Sequence, residues 1–229
     1  MGVEATFTLG QYRILRIVTG EAWRENCYLV THVPSGELAV VDPGDDADSI
    51  IRSVLESGGR LRHILLTHAH HDHVGAVAAL CGRFDLACDI HKDDARLLRH
   101  APMYAMLFAH KHIEPPGPLR LFEDQPALQL GERSVHVIHT PGHTFGSACY
   151  DFGGFVFTGD TLLYQCIGRT DLPGSDAKTL AASVTRLLDL LAGDTVIFPG
   201  HGRKWTLSEA KNWWREVAAS APQHKHFDP

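Results

Sequence analysis

Paired cysteines, long apolar runs and an excess of positive charge are all missing from this chain. Its five cysteines, Cys27, Cys81, Cys88, Cys149 and Cys166, are scattered and never fall in a CxxC spacing. An odd set of this kind argues against a disulfide framework and for a reducing compartment. No apolar run approaches the roughly 20 residues that a bilayer span needs. The opening residues, MGVEATFTLG, lack the basic stretch and apolar core of a secretory leader. Lys and Arg number 21 against 27 Asp and Glu, a formal net charge of −6, which leaves no footprint for a nucleic-acid backbone or an anionic membrane surface. The expectation is a cytoplasmic protein that binds no nucleic acid and no membrane. MGVEAT formally fits the Gly2 myristoylation pattern through Thr6, but an ordinary free terminus is the preferred reading.

What the chain does have is a core and a clear order of elements. With 229 residues and 44% hydrophobic content, it is expected to form a single domain over 1–229. Apolar, β-branched runs bounded by turn residues predict strands at YRILRIV, CYLVTHV, LAVVDPG, HILLTH, VHVIHTPG, SACYDF, FVFTGD and TVIFPGHG. Helical spacing predicts helices over DADSIIRSVLESG, HVGAVAALCGRF, DDARLLRHA, DAKTLAASVTRLLDLLAG and LSEAKNWWREVAASA. Strands first, then alternation, then strands and helices again, argue for layered α/β with helices covering sheet faces. The least regular part, 101–130, carries PPGP in its middle. It reads as a long ordered loop with a short helix, either a lid or substrate wall or a plain surface connection.

Histidine is abundant, with 16 in the chain. His91, His100, His110, His112, His224 and His226 sit in polar surroundings and read as surface residues. The crowded set is LLTHAHHDHVGA, where four histidines and one aspartate occupy positions 68–73. If the strand HILLTH runs on, His68 and His70 project to one side and the small Ala69 to the other. If a helix begins near Asp72, that carboxylate and His73 lie in its first turn, at the positive end of its dipole, and address a neighbouring point. His71 has the wrong parity for the first point and belongs to the rim. Imidazoles with carboxylates suit zinc, manganese or iron. Three later strands also end in glycine turns bearing a potential ligand: His143, Asp160 and His201. His139, on the strand before its turn, reads as structural.

THAHHDH, followed in order by TPGHTFGS, TGDT and PGHG, resembles the metallo-β-lactamase-fold hydrolases, and VVDPGDD is similar to that family's strand-ending Asp-Pro-Gly. The resemblance runs from about Ile14 to His201. It implies an αββα sandwich with two divalent metal ions, zinc in first place, iron or manganese as alternatives. His68, His70 and His143 would bind the first ion and Asp72, His73 and His201 the second, with Asp160 bridging and Asp42 supporting the histidines. TGDTLLYQCIGRTDLPGSDAKTLAASV resembles the glyoxalase II-like branch. This implies a thioesterase acting on small-molecule thioesters of the S-acylglutathione type through a metal-bound hydroxide oriented by the catalytic carboxylates Asp72 and Asp160. On that resemblance the chain is expected to lack the extended carboxy-terminal helical domain of the longer glyoxalase II enzymes, much of their glutathione-binding surface. GRTD also resembles the persulfide dioxygenases, which use one iron and oxygen, and other ester classes such as lactones remain open. Arg169 and Tyr164 are the expected substrate contacts; alternatively Arg169 pairs with Asp171 or Asp176 on its own loop. Trp213 and Trp214 read as packing residues.

Overall fold

The computed structural model describes residues 3–123, 126 and 128–219. Two sheets lie face to face. The first takes strands β1 (Val3–Leu9), β2 (Tyr12–Thr19), β3 (Glu25–His32), β4 (Glu37–Val41), β5 (Arg60–Leu65), β6 (Cys88–His91) and β7 (Leu119–Phe122), in that spatial order. Its first four strands pair antiparallel and the rest parallel. The second takes β8 (Leu128–Leu130), β9 (Arg133–His139), β10 (Ala148–Asp151), β11 (Phe155–Gly159), β12 (Val196–Pro199) and β13 (Trp205–Thr206), again in chain order. Only β11 and β12 run parallel there, because the helix α5 (Ala177–Leu190) crosses over between them.

Alternation along the strands builds three layers of core. In β3, Tyr28 and Val30 face the second sheet while Cys27 and Leu29 face outward; in β4, Ala39 and Val41 face inward while Leu38 and Val40 face outward. The inner layer is rich in aromatic rings, among them Tyr12, Tyr28, Tyr150, Phe155, Phe157 and Phe198. The outer face of the first sheet is covered by α1 (Ala47–Glu56), α3 (Val77–Phe84) and α4 (Ala95–Ala109). That of the second is covered by α5 and α6 (Leu207–Ala219), with Trp214 and the partly buried Trp213 packed as expected. The order helix, sheet, sheet, helix is the αββα sandwich. No described helix is long and apolar enough to cross a membrane.

Four local expectations differ. The strand HILLTH ends at Leu65, so His68 lies in the connection after it. The expected single helix from His73 is broken into α2 (His71–Val74), of four residues, and α3. Gly75 and Ala76 lie between the two, and only glycine fits at 75, for a Cβ there would stand 2.2 Å from the Gly44 carbonyl oxygen. Helix α4 runs through Pro102 to Ala109. Proline removes one backbone donor, but Ala95, Leu98, Ala101 and Ala105 keep a continuous buried stripe that holds both turns on the sheet. His91 is buried at the end of β6 rather than on the surface. His224 and His226 lie outside the described residues.

Candidate metal centre and its cavity

The centre forms where the ends of strands from both sheets meet. Beyond β5 the chain bends at Thr67, and His70 is extended, with φ −68° and ψ 147°. Past the bend Ala69 is buried in the core beneath the first sheet, while the rings of His68 and His70 meet at 4.8 Å, edge to face. His143 comes from the turn after β9, Asp160 from the end of β11 and His201 from the turn after β12. Two donor sets result. His68, His70 and His143 form one, Asp72, His73 and His201 the other, each with ligand atoms within 4.8 Å of one another. Asp160 stands between them, Oδ2 at 3.7 Å from His143 Nε2 and 3.5 Å from His201 Nε2, Oδ1 at 3.6 Å from His73 Nε2. Helix α2 is too short for an appreciable dipole. Asp72 is held instead by His71 Nδ1 at 3.3 Å and His201 Nε2 at 3.4 Å.

The far side of four of the five histidine rings is pinned. His143 Nδ1 donates to the Arg169 carbonyl at 2.9 Å, and His201 Nδ1 to the Trp23 carbonyl at 3.0 Å. His73 Nδ1 meets Asp42 Oδ2 at 3.2 Å. His68 Nδ1 reaches Thr67 Oγ1 at 3.1 Å, and that hydroxyl donates to Asp42 Oδ2 at 2.7 Å. Asp42 thus supports two histidines at once, from a left-handed backbone with φ 49° that aspartate tolerates. These bonds fix the tautomers and aim the Nε2 atoms inward.

Such an arrangement fits cations. Nε2 of His68, Nε2 of His143 and Oδ1 of Asp160 are buried without a hydrogen-bond partner, and groups left so are costly unless something positive engages them. Burial, aided by neighbouring imidazoles, holds His68 and His70 well below the ordinary histidine value, so both rings keep a free lone pair. Burial also lowers His143, against the pull of Asp160. His73 goes the other way: burial would lower it, but Asp72, Asp160 and Asp42 push it up to about 10. Burial would raise Asp72, yet His73 and the bonds from His201 and His71 hold it well below the usual carboxylate range. The carboxylates draw positive charge to the second donor set, while the first is neutral and nucleophilic. Three histidines, or two with a carboxylate, plus a shared carboxylate are borderline-soft donors of the kind that zinc, iron and manganese take.

A cavity opens over the centre, lined by His70, Asp72, His143, Asp160 and His201 at its floor. Arg169 reaches its wall, but its Nε and Nη2 fork onto Asp171 at 2.7 and 2.8 Å, the loop pairing offered as the alternative. Tyr164 does not line the cavity. It packs against Trp205 with ring centroids at 5.4 Å, beneath the Arg203 guanidinium at 3.7 Å. His71 stands at the rim and in neither donor set. His139 is held away, donating from Nε2 to the Phe145 carbonyl at 2.8 Å and stacked on His91. Sequence reasoning missed Trp23 and the α4 side chains Leu97, Tyr104 and Phe108, which form much of the wall. It also missed Asp94 and Glu25, both buried beside the centre. Burial raises Glu25 to about 7 although Thr19 donates to it.

Comparison with known proteins agrees with this geometry. The family model described as the metallo-beta-lactamase superfamily matches residues 20–201. A hydroxyacylglutathione hydrolase, GloC, of Haemophilus influenzae is 33% identical over 206 residues, covering 86% of this chain and 94% of that protein. The crystal structure of TTHA1623 in a di-iron-bound form superposes with a TM-score of 0.77 at 37% identity, over 86% of this chain and 96% of that one. ETHE1 from Myxococcus xanthus gives a TM-score of 0.73 at 27% identity, over 90% and 84% of the two chains.

Proposed function

Because the chain belongs to the metallo-beta-lactamase superfamily, we propose that this hydrolase cleaves thioesters of the S-acylglutathione type at a two-metal centre. His68, His70 and His143 would hold one divalent ion and Asp72, His73 and His201 a second, with the Asp160 carboxylate standing between the two sets. The observation that carries the reading is the pair of equally complete donor sets sharing Asp160. Ions of this kind supply a water acidified toward a pKa of roughly 7 and a Lewis acid for the carbonyl oxygen.

The protein's own side chains do the rest. Asp72 and Asp160 face the cavity floor and accept hydrogen bonds from the attacking water, fixing its lone pair toward the substrate carbon. The Trp23 and Arg169 carbonyls keep His201 and His143 from turning. The aromatic wall limits water to the floor, where its excess would solvate the reacting groups. A thiolate leaving group, with a pKa of about 8.5, needs little protonation, and the cavity is correspondingly poor in acids that are not donors. GloC, a hydroxyacylglutathione hydrolase similar over most of both chains, supports the substrate class. Zinc is proposed first, iron and manganese as alternatives. A second reading, oxygenation of a persulfide at one iron, is favoured by the GRTD motif at Gly168–Asp171 and the likeness to ETHE1.

The test is hydrolysis of S-lactoylglutathione by zinc- and by iron-reconstituted protein, followed at the thioester absorbance with dissolved oxygen recorded. Metal-dependent loss of the thioester without oxygen uptake is expected. Oxygen consumption with a persulfide, and no thioester cleavage, would replace this reading by the second.

A further inference from the structure

The wall above the floor has a definite chemistry. Trp23, Leu97, Tyr104, Phe108, Leu172 and Pro173 supply its side chains. Leu97, Tyr104 and Phe108 stand seven and four residues apart on α4, close to one line along the helix at 100° per residue. Their rings join a continuous row. Tyr104 lies parallel to Phe108 with centroids at 5.9 Å, Phe108 meets the His71 ring at 6.2 Å, and His71 meets Trp23 at 5.7 Å. Trp23 in turn touches the floor through its carbonyl, which accepts a hydrogen bond from His201 Nδ1. The row therefore leads from the outer end of α4 to the reacting centre. Phe108 is 49% exposed although it faces the cavity, so apolar surface is left there for something to cover.

Charge points the same way. Among the described lining residues the one lysine or arginine is Arg169, and its fork is engaged by Asp171. A group bearing carboxylates would find no second cation along this wall. An uncharged ring would find aromatic faces and edges on successive residues, contacts that are favourable beyond the area they bury.

We infer that this wall is an acyl subsite, and that the preferred substrates are thioesters whose acyl group carries an aromatic ring, with the charged thiol carrier extending out of the mouth. The inference rests on the thioester reading above and goes beyond it by naming the acyl class. It makes α4 and Trp23 specificity-determining and gives them no part in the bond-breaking step.

The probe pair is S-lactoylglutathione and S-mandeloylglutathione, which share a carrier and a 2-hydroxyl and differ only by methyl against phenyl. For the metal-loaded protein the kcat/KM ratio of mandeloyl to lactoyl is expected to be about tenfold or more, in line with what an apolar pocket discriminates. Phe108→Ser and Tyr104→Ser should each cut that ratio severalfold, whereas Phe108→Leu should keep most of it. Met103→Ser, on the solvent side of the same helix and 54% exposed, should leave the ratio as it was. Bound metal, measured in every variant, separates loss of the wall from loss of the fold. A ratio at or below one, or a ratio untouched by Phe108→Ser, would overturn the inference. If neither thioester turns over, the thioester reading fails by itself. The wall is then judged by calorimetric binding of mandelate against lactate: tighter mandelate binding that Phe108→Ser abolishes upholds an aromatic subsite, and equal binding sinks it.

Discussion

Asp94 shows how much one side chain can position without touching the reacting groups. Its carboxylate accepts from the Ala69 amide at 2.9 Å, the Thr144 hydroxyl at 2.8 Å and the Gly146 amide at 2.7 Å. It so ties the backbone between His68 and His70 to the turn that follows His143. Burial raises its pKa to about 6 against the pull of these bonds, which leaves it charged at neutral pH. Asp94→Asn turns an amide toward one of these donors and strands it, a loss of roughly 1–3 kcal/mol. The variant should bind less metal by elemental analysis than the wild type, whereas Asp93→Asn, at an exposed neighbour, should not. Full occupancy in Asp94→Asn would remove its positioning role. Gly200 is a second such position, since a Cβ there would lie 2.3 Å from Asp160 Oδ1 and 2.8 Å from His73 Cε1. Gly200→Ala should lower kcat by roughly a hundredfold, the scale on which ångström displacements act, and an unchanged kcat would show that the shared carboxylate has room to move. The sequence displayed the donors because they cluster in number and parity. It hid Asp94 and Gly200 because both act through distance to groups far along the chain.

Among the elements, α5 begins at Asp176, whose carboxylate accepts from the Thr179 amide at 2.7 Å. The bonds from Thr179 hold the carboxyl below its ordinary value. A depressed pKa means that the cap's contribution is present above the unfolded carboxylate range and is lost as pH falls through the folded value. Asp176→Ala should therefore lower Tm at pH 7, by a few degrees on the usual scale of helix caps, and the gap to wild type should narrow as pH falls below the ordinary carboxylate range. A gap independent of pH would assign the effect to something other than the ionised cap. Strands β3 and β4 were legible as continuous apolar runs, Cys27 to Val30 and Leu38 to Val41, whose side chains the structure divides between the two faces of the first sheet. Helix α4 was legible only in its first half, because Pro102 looks like a stop when read locally and the alanines that carry the helix past it give a weak apolar signal. Tyr104 and Phe108 of the cavity wall fall within 101–130, the segment read as a lid or substrate wall, but with the helix cut at Pro102 no side chain there could be named. Arg169 and Tyr164 were drawn from a loop whose composition could not say which way its side chains turn.

At the scale of the molecule, the first sheet and its connections provide His68, His70, Asp72 and His73, and the second provides His143, Asp160 and His201. Any ion held here fastens the two halves to each other. A ligand that binds only the folded state at a thousand times its Kd adds about 4 kcal/mol. Chelation should then lower Tm by roughly 10 °C for a chain of this size, restored by zinc; a Tm indifferent to chelator would mean that the halves are held by their aromatic interlayer alone. The same division sets an order in time. A chain emerging from synthesis completes its first donor set at His143, but the second waits for His201, on the turn between β12 and β13. Up to that point the three carboxylates gathered around His73 have no full partner set to share an ion with. A centre with both donor sets thus cannot assemble before His201 has been made, and a chain cut short before β12 would carry the first set alone.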